Sequence, residues 1–166
     1  MSMSRRRLLE SGWKLGGALL VGAAAWTTYE SLRPLATTTT SGTLELGDPS
    51  RYPAGTATYV PAGRLWVANT GTVIYALSQK CPHLGCRVPF CDSSGRFECP
   101  CHGSVYDIGG EWIQGPAPRG MDRYPLAVDK TSGNLVADTG STINGPPRGT
   151  HRFLTPPKGP SCIPGA

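Results

Sequence analysis

The chain opens with one long apolar stretch and shows no second one. Leu15 to Trp26 is apolar apart from its glycines, extends to Tyr29, and follows a basic head, Ser4-Arg5-Arg6-Arg7-Leu8-Leu9. From Ser11 to Tyr29 it counts 19 residues, near the ~20 that a membrane-spanning helix needs. Lys14 lies close enough to the basic end to snorkel, and Trp13 and Trp26 flank the stretch as interfacial anchors do. Pro34 ends the predicted helix, because its ring breaks the hydrogen-bond ladder. Residues 36–42 (ATTTTSG) hold nothing apolar enough to pack and are expected to form a flexible hinge. Seven extended residues reach about 25 Å. The pattern then changes to short strand-like runs between turn residues: Thr43–Leu46, Arg64–Asn69, Thr72–Ser78, Arg96–Cys99, Tyr124–Asp129 and Asn134–Ala137. No 3.6-residue period follows, so residues 43–138 are predicted to be an antiparallel all-β domain. From Thr139 to Ala166 the chain is irregular and rich in Pro and Gly, a tail expected to lie on a neighbouring surface or to stay mobile.

Composition supports this division. The 22 glycines and 16 prolines among 166 residues are too many for a helical bundle and suit short strands joined by turns. The length allows one domain with extensions and excludes a multidomain oxygenase. A net charge of +5 suggests nucleic acid only until it is located. Residues 1–14 carry +3 and the tail another +3, whereas 43–138 hold eight basic and nine acidic side chains. The domain therefore has no basic stripe for phosphate, and nucleic acid is excluded as a partner. The basic head resembles a twin-arginine export signal, which implies export of an already folded protein. Ala23-Ala24-Ala25 offers a cleavage site. Length and charge favour instead a retained single-pass anchor over residues 1–35, its N-terminus cytoplasmic and everything after Arg33 outside.

The chemistry lies in two short loops, Cys81-Pro82-His83-Leu84-Gly85-Cys86 and Cys99-Pro100-Cys101-His102-Gly103-Ser104. Each supplies sulfur and imidazole, so two hairpin tips can build one metal site. Structural zinc of the two-Cys, two-His kind pairs Cys-x2–4-Cys with His-x3–5-His, which these mixed loops fit badly. Haem attachment needs Cys-x-x-Cys-His, and Cys99-Pro-Cys101-His102 is one spacer short. The plant-type ferredoxin spacing also fails, since Cys86 to Cys91 repeats x4. Nothing resembles an activated nucleophile, so no hydrolase or transferase is indicated.

The pair Cys-x-His-x2-Cys and Cys-x-Cys-His resembles the Rieske [2Fe–2S] family over roughly residues 72–128, with the cluster-binding part at about 79–120. The resemblance implies an antiparallel Rieske-type β-sandwich with a cluster-binding subdomain and one [2Fe–2S] cluster. Cys81 and Cys99 would ligate one iron, and His83 and His102 the other. Cys86 and Cys101 would form a disulfide between the loops, which suits an oxidising compartment. Neutral imidazoles raise the potential, into a range of about −150 to +300 mV. Ser104 and Tyr106 match positions whose hydroxyls donate to a bridging sulfide and a cysteine sulfur. Hydrogen bonds to charged groups contribute about 1.5–3 kcal/mol, or about 60–130 mV for one electron. Leu84 would help form an apolar docking rim, and Gly115-Pro116-Ala117-Pro118 resembles the proline loop that covers the cluster. Outside the family pattern, Cys91 and Cys162 remain, and a second disulfide between them would pin the tail beside the cluster.

The function so implied is the iron–sulfur subunit of a cytochrome bc-type quinol oxidoreductase. His102 would accept the hydrogen bond of quinol held by a cytochrome b-type subunit, and the head would swing on the hinge toward a c-type cytochrome, within a multi-subunit dimeric complex. Two alternatives stay open: the small subunit of an exported molybdenum oxidase such as arsenite oxidase, and a released ferredoxin-like carrier.

Overall fold

A computed structural model describes residues 4–33 and 42–163. The chain divides into two units, Met1–Thr38 and Thr39–Ala166. Apart from Gly42, the expected hinge lies outside the described residues.

The first unit is the helix α1, Arg5–Leu32, 28 residues long. It ends before Pro34, with Arg33 already extended, as the residue preceding a proline is constrained to be. The expected helix is therefore present, but among the described residues no helix is long and apolar enough to cross a membrane. Length is not what falls short, since 28 residues rise about 42 Å. Apolarity falls short: Gly12, Gly16, Gly17, Gly22, Thr27 and Thr28 bury little apolar surface, and Lys14 and Glu30 bound the stretch. Leu8, Leu9, Trp13, Leu15, Leu19, Leu20, Val21 and Trp26 are all exposed.

The second unit is antiparallel throughout. In chain order its strands are β1 (Thr43–Gly47), β2 (Thr56–Val60), β3 (Leu65–Asn69), β4 (Ile74–Ser78), β5 (Phe90–Cys91), β6 (Arg96–Glu98), β7 (Val105–Tyr106), β8 (Trp112–Gln114), β9 (Arg123–Tyr124), β10 (Leu126–Val128) and β11 (Leu135–Asp138). They form three sheets, ordered β1-β11-β10, β2-β3-β4-β9 and β5-β6-β7-β8. The second sheet is the middle layer. Because side chains alternate along a strand, Leu65 and Val67 of β3 join Leu46, Tyr52, Ala76, Leu135 and Ala137 in one core. Ala68 and Leu77 enter another with Val88, Phe97, Tyr106 and Met121. Burial on both faces explains why β3 reads as a continuous apolar run.

Two strand expectations change. The predicted strand Tyr124–Asp129 is cut at Pro125, which has no N–H to give a ladder. The chain changes sheets there: β9 pairs with β4, and β10 with β11. The run Thr56–Val60 forms β2, an edge strand whose weak alternation of Thr, Ala and Tyr gave little signal.

Over its described residues, 139–163, the tail packs on its own domain. Two buried carboxylates explain this. Glu111 is fully buried and accepts from Arg152 Nε at 2.7 Å and from the Arg152 backbone N–H at 2.6 Å. Glu98 accepts from the Ser94 hydroxyl (2.7 Å), the Ser161 hydroxyl (2.8 Å) and the Cys162 N–H (2.8 Å). A buried carboxylate left unpaired is strongly destabilising, so the tail completes the domain. Cys91 and Cys162 form a disulfide that fixes its far end.

Candidate metal centre

Two loops with nearly the same backbone make the site. The first leads from β4 toward β5, and the second is the tip of the β6–β7 hairpin. The Cys81 N–H closes the first on the Cys86 carbonyl at 2.8 Å, and the Cys99 N–H closes the second on the Ser104 carbonyl at 2.8 Å. Inside each, a glycine N–H returns to the leading cysteine: Gly85 to the Cys81 carbonyl (2.8 Å) and Gly103 to the Cys99 carbonyl (3.1 Å). Both glycines have positive φ, +79° and +68°, a conformation that glycine enters without steric cost. The disulfide Cys86–Cys101 joins the loops.

The four expected ligands fall into two chemically distinct pairs. Cys81 and Cys99 are free cysteines, 3% and 1% exposed, and their side chains interact. Burial pushes the Cys99 thiol up, outweighing the N–H groups of Cys101 and His102 that pull it down. A thiolate there calls for a cation beside it. His83, half-buried, and His102, exposed, meet edge to face with ring centroids 4.8 Å apart. Sulfur thus lies inside and nitrogen at the tip, a donor set that suits a mixed-ligand iron–sulfur centre. Two other groups bring three donors within 4.8 Å: Cys86, Cys99, Cys101 and Cys91, Glu98, Cys162. In each, two of the sulfurs are tied up in a disulfide.

The two hydroxyls come from the second loop and from β7 just after it, and one of them reaches the first loop. The Tyr106 hydroxyl lies 3.2 Å from Cys81 Sγ. Burial, and after it the Cys81 sulfur, push the Tyr106 phenol well above its ordinary range, so its proton is available for a hydrogen bond to the sulfur. Ser104 is fully buried, and its Oγ accepts the Ala117 N–H at 3.1 Å. The loop Gly115-Pro116-Ala117-Pro118 therefore covers the second loop. A Cβ at Gly115 would sit 2.5 Å from Ser104 Cα and 2.8 Å from the Gly103 carbonyl. Pro116 and Pro118 face solvent, and Leu84 at the first tip is 70% exposed. Sequence reasoning missed Ala117, whose role lies in its backbone N–H, a group that no side-chain pattern reveals.

Residues 44–125 match the model of the Rieske [2Fe–2S] domain. The cytochrome b6-f complex iron-sulfur subunit of Synechococcus sp. (strain JA-3-3Ab) is 43% identical over 75 residues, which cover 45% of this chain and 41% of that one. The subunit of the same name from Chlorobaculum thiosulfatiphilum is 34% identical over 91 residues, covering 54% and 50%. The chain thus spans half or less of the length of these curated relatives. Among solved structures, the cyanobacterial plasma membrane Rieske protein PetC3 from Synechocystis PCC 6803 is 29% identical, covering 57% of this chain and 97% of that one, with a TM-score of 0.44.

Proposed function

With residues 44–125 this chain belongs to the Rieske [2Fe–2S] family, and we propose that it is the iron–sulfur subunit of a membrane quinol oxidoreductase of the cytochrome bc type, taking an electron and a proton from quinol and passing the electron to a c-type haem. The observation that carries the proposal is the double loop: two free buried cysteines, two histidines at an accessible tip, and a disulfide holding the loops together. Relatives named as cytochrome b6-f iron-sulfur subunits support it.

Cys81 and Cys99 would hold one iron, and His83 and His102 the other. A [2Fe–2S] cluster bound there supplies one-electron redox chemistry at a potential raised by neutral imidazole ligands. The Tyr106 hydroxyl, beside Cys81 Sγ, and the Ser104 hydroxyl would donate toward the sulfurs of such a cluster and favour added negative charge. His102 presents its outer ring nitrogen at the exposed tip, where it accepts the quinol hydrogen bond and holds the quinol proton. Leu84, beside it, offers the apolar rim for docking on a cytochrome b-type subunit, while Gly115, Pro116 and Pro118 close the other flank against water.

The amino-terminal segment is proposed to be a twin-arginine signal that stays as a single-pass anchor in the cell membrane, with the cluster domain on the outer side. Its apolar side chains are exposed all round, an arrangement at rest among lipid or other helices. Its glycines permit close helix packing, which compensates for low apolarity. Residues 36–42 would serve as the hinge of a swinging head.

Mild-detergent purification of the intact complex tests the proposal. The expected result is co-purification with b- and c-type haems in a dimeric assembly and quinol-dependent reduction of the c-type haem. A molybdopterin subunit in their place, or a solitary water-soluble protein, would overturn it.

A further inference from the structure

We propose that Arg148, in the carboxy-terminal tail, is a positioning residue that aims the Ser104 hydroxyl by clamping the loop 115–118. The proposal rests on the reading of Ser104 as a donor to cluster sulfur. Arg148 Nε and Nη2 donate to the Ala117 carbonyl at 2.8 and 2.6 Å, and Nη2 also to the Gly115 carbonyl at 3.1 Å. The guanidinium lies over the Trp112 ring, 4.5 Å from its centroid, and Trp112 Nε1 donates to the same Gly115 carbonyl at 3.2 Å. One side chain therefore grips the loop at both ends of its three-residue span 115–117.

From there the constraint passes to Ser104 by two contacts. The Ala117 N–H occupies one acceptor position of the Ser104 hydroxyl, so the hydroxyl proton is aimed away from Ala117, on the side where the Tyr106 hydroxyl meets it. Gly115 lies directly against the Ser104 backbone, since a Cβ added there would fall 2.5 Å from Ser104 Cα. A planar fork can hold two carbonyls in fixed directions, which the point charge of lysine cannot.

Arg148 is itself held independently of its contacts with the loop. Before it, the Gly145 N–H donates to Asp122 Oδ1 (2.9 Å) and the Gly120 N–H to the Pro146 carbonyl (2.8 Å). After it come the Arg152–Glu111 pair, the edge-to-face contact of Phe153 with Tyr75, and the Cys91–Cys162 disulfide. Removing the guanidinium thus leaves the tail docked and frees only the loop.

The test uses the full chain with its cluster: Arg148→Ala, Arg148→Lys, Ser104→Ala and the double variant Ser104→Ala/Arg148→Ala, each titrated for midpoint potential with cluster content checked by visible absorption. Arg148→Ala shifts the equilibrium toward the oxidised state by about threefold to tenfold, tenfold being about 59 mV for one electron, and less than Ser104→Ala does. Arg148→Lys shows the same shift despite its charge. In the double variant Arg148→Ala adds nothing to Ser104→Ala, because one acts through the other. Hydrogen exchange at the Ala117 amide, faster in Arg148→Ala and in Arg148→Lys, reads the clamp directly. An unchanged potential in Arg148→Ala, restoration by lysine, additive shifts or unaltered exchange would each overturn the inference while leaving the Ser104 reading in place. If Ser104→Ala itself moves nothing, the Ser104 reading falls and the inference with it.

Discussion

The two loops share a backbone and differ in what stands behind them. Five residues after its leading cysteine the first loop has Cys86, committed to the disulfide, and the second has Ser104, a buried hydroxyl that accepts the Ala117 N–H. Seven residues after it the first has Val88 and the second Tyr106, both fully buried. The first loop has the apolar Val88 behind it and exposes Leu84. The second side supplies both hydroxyls and exposes His102, and its Tyr106 hydroxyl reaches across to Cys81 Sγ of the first loop. The loops match at the leading cysteine and at the glycine four residues on, they differ in where the histidine stands, and both hydroxyls come from the second side.

The largest effect tests the symmetry. Cys81→Ala and Cys99→Ala should each remove the cluster entirely, with equal loss of visible absorption and acid-labile sulfide; retention in either variant would break the equivalence of the loops. Next is the covering loop, present on the second side alone. Gly85→Ala and Gly103→Ala meet no atom within 4 Å and should each cost about 1–2 kcal/mol from positive φ. Gly115→Ala meets backbone as well and should cost clearly more in denaturant unfolding. If the three cost the same, tight covering of the second loop is refuted.

The chemical asymmetry predicts that Tyr106→Phe and Ser104→Ala each lower the midpoint potential by about 60–130 mV, with the cluster spectrum kept. Filling in the first side is the matching control: Val88→Ile should leave the potential in place. A smaller effect lies just beyond Tyr106. Burial first, with the Glu111 charge adding to it, raises the Asp107 carboxyl to about 6, although the Glu111 and Gly109 N–H groups and Arg123 oppose this. One of its oxygens, Oδ2, has no partner. The folded state holds a proton that the unfolded chain releases near its ordinary value of about 4. This contribution to stability is therefore complete below about pH 4 and is lost as pH rises through about 6. Unfolding at pH 5 and pH 7 should show that decline, and Asp107→Asn should flatten it.

The pairing of the two loops was legible because their leading cysteine and the glycine four residues on match. The structure brings His83 beside His102 and joins Cys86 to Cys101, as the motifs led one to expect. Fold class was legible from the alternation in β1 and from short apolar runs between turn residues in β3 and β11. Other features leave no periodic trace. β5, β7 and β9 are two residues long, too short to alternate. Pro125 marks a break, but not that the chain changes sheets there. The tail looked unstructured because it is held by Arg148, Arg152 and Cys162 singly, through partners up to 71 residues away. The apolar stretch at 15–29 signalled a helix correctly, while its glycines and threonines left it short of a span.

The central claim is that sulfur from both loops meets one metal and nitrogen from both the other. Electron–nuclear double resonance on the reduced protein tests it most directly. Two strongly coupled imidazole nitrogens are expected, identified as histidine by selective labelling and unchanged in a His151→Gln variant. A reduced cluster with no nitrogen coupling, ligated by sulfur alone, would contradict it.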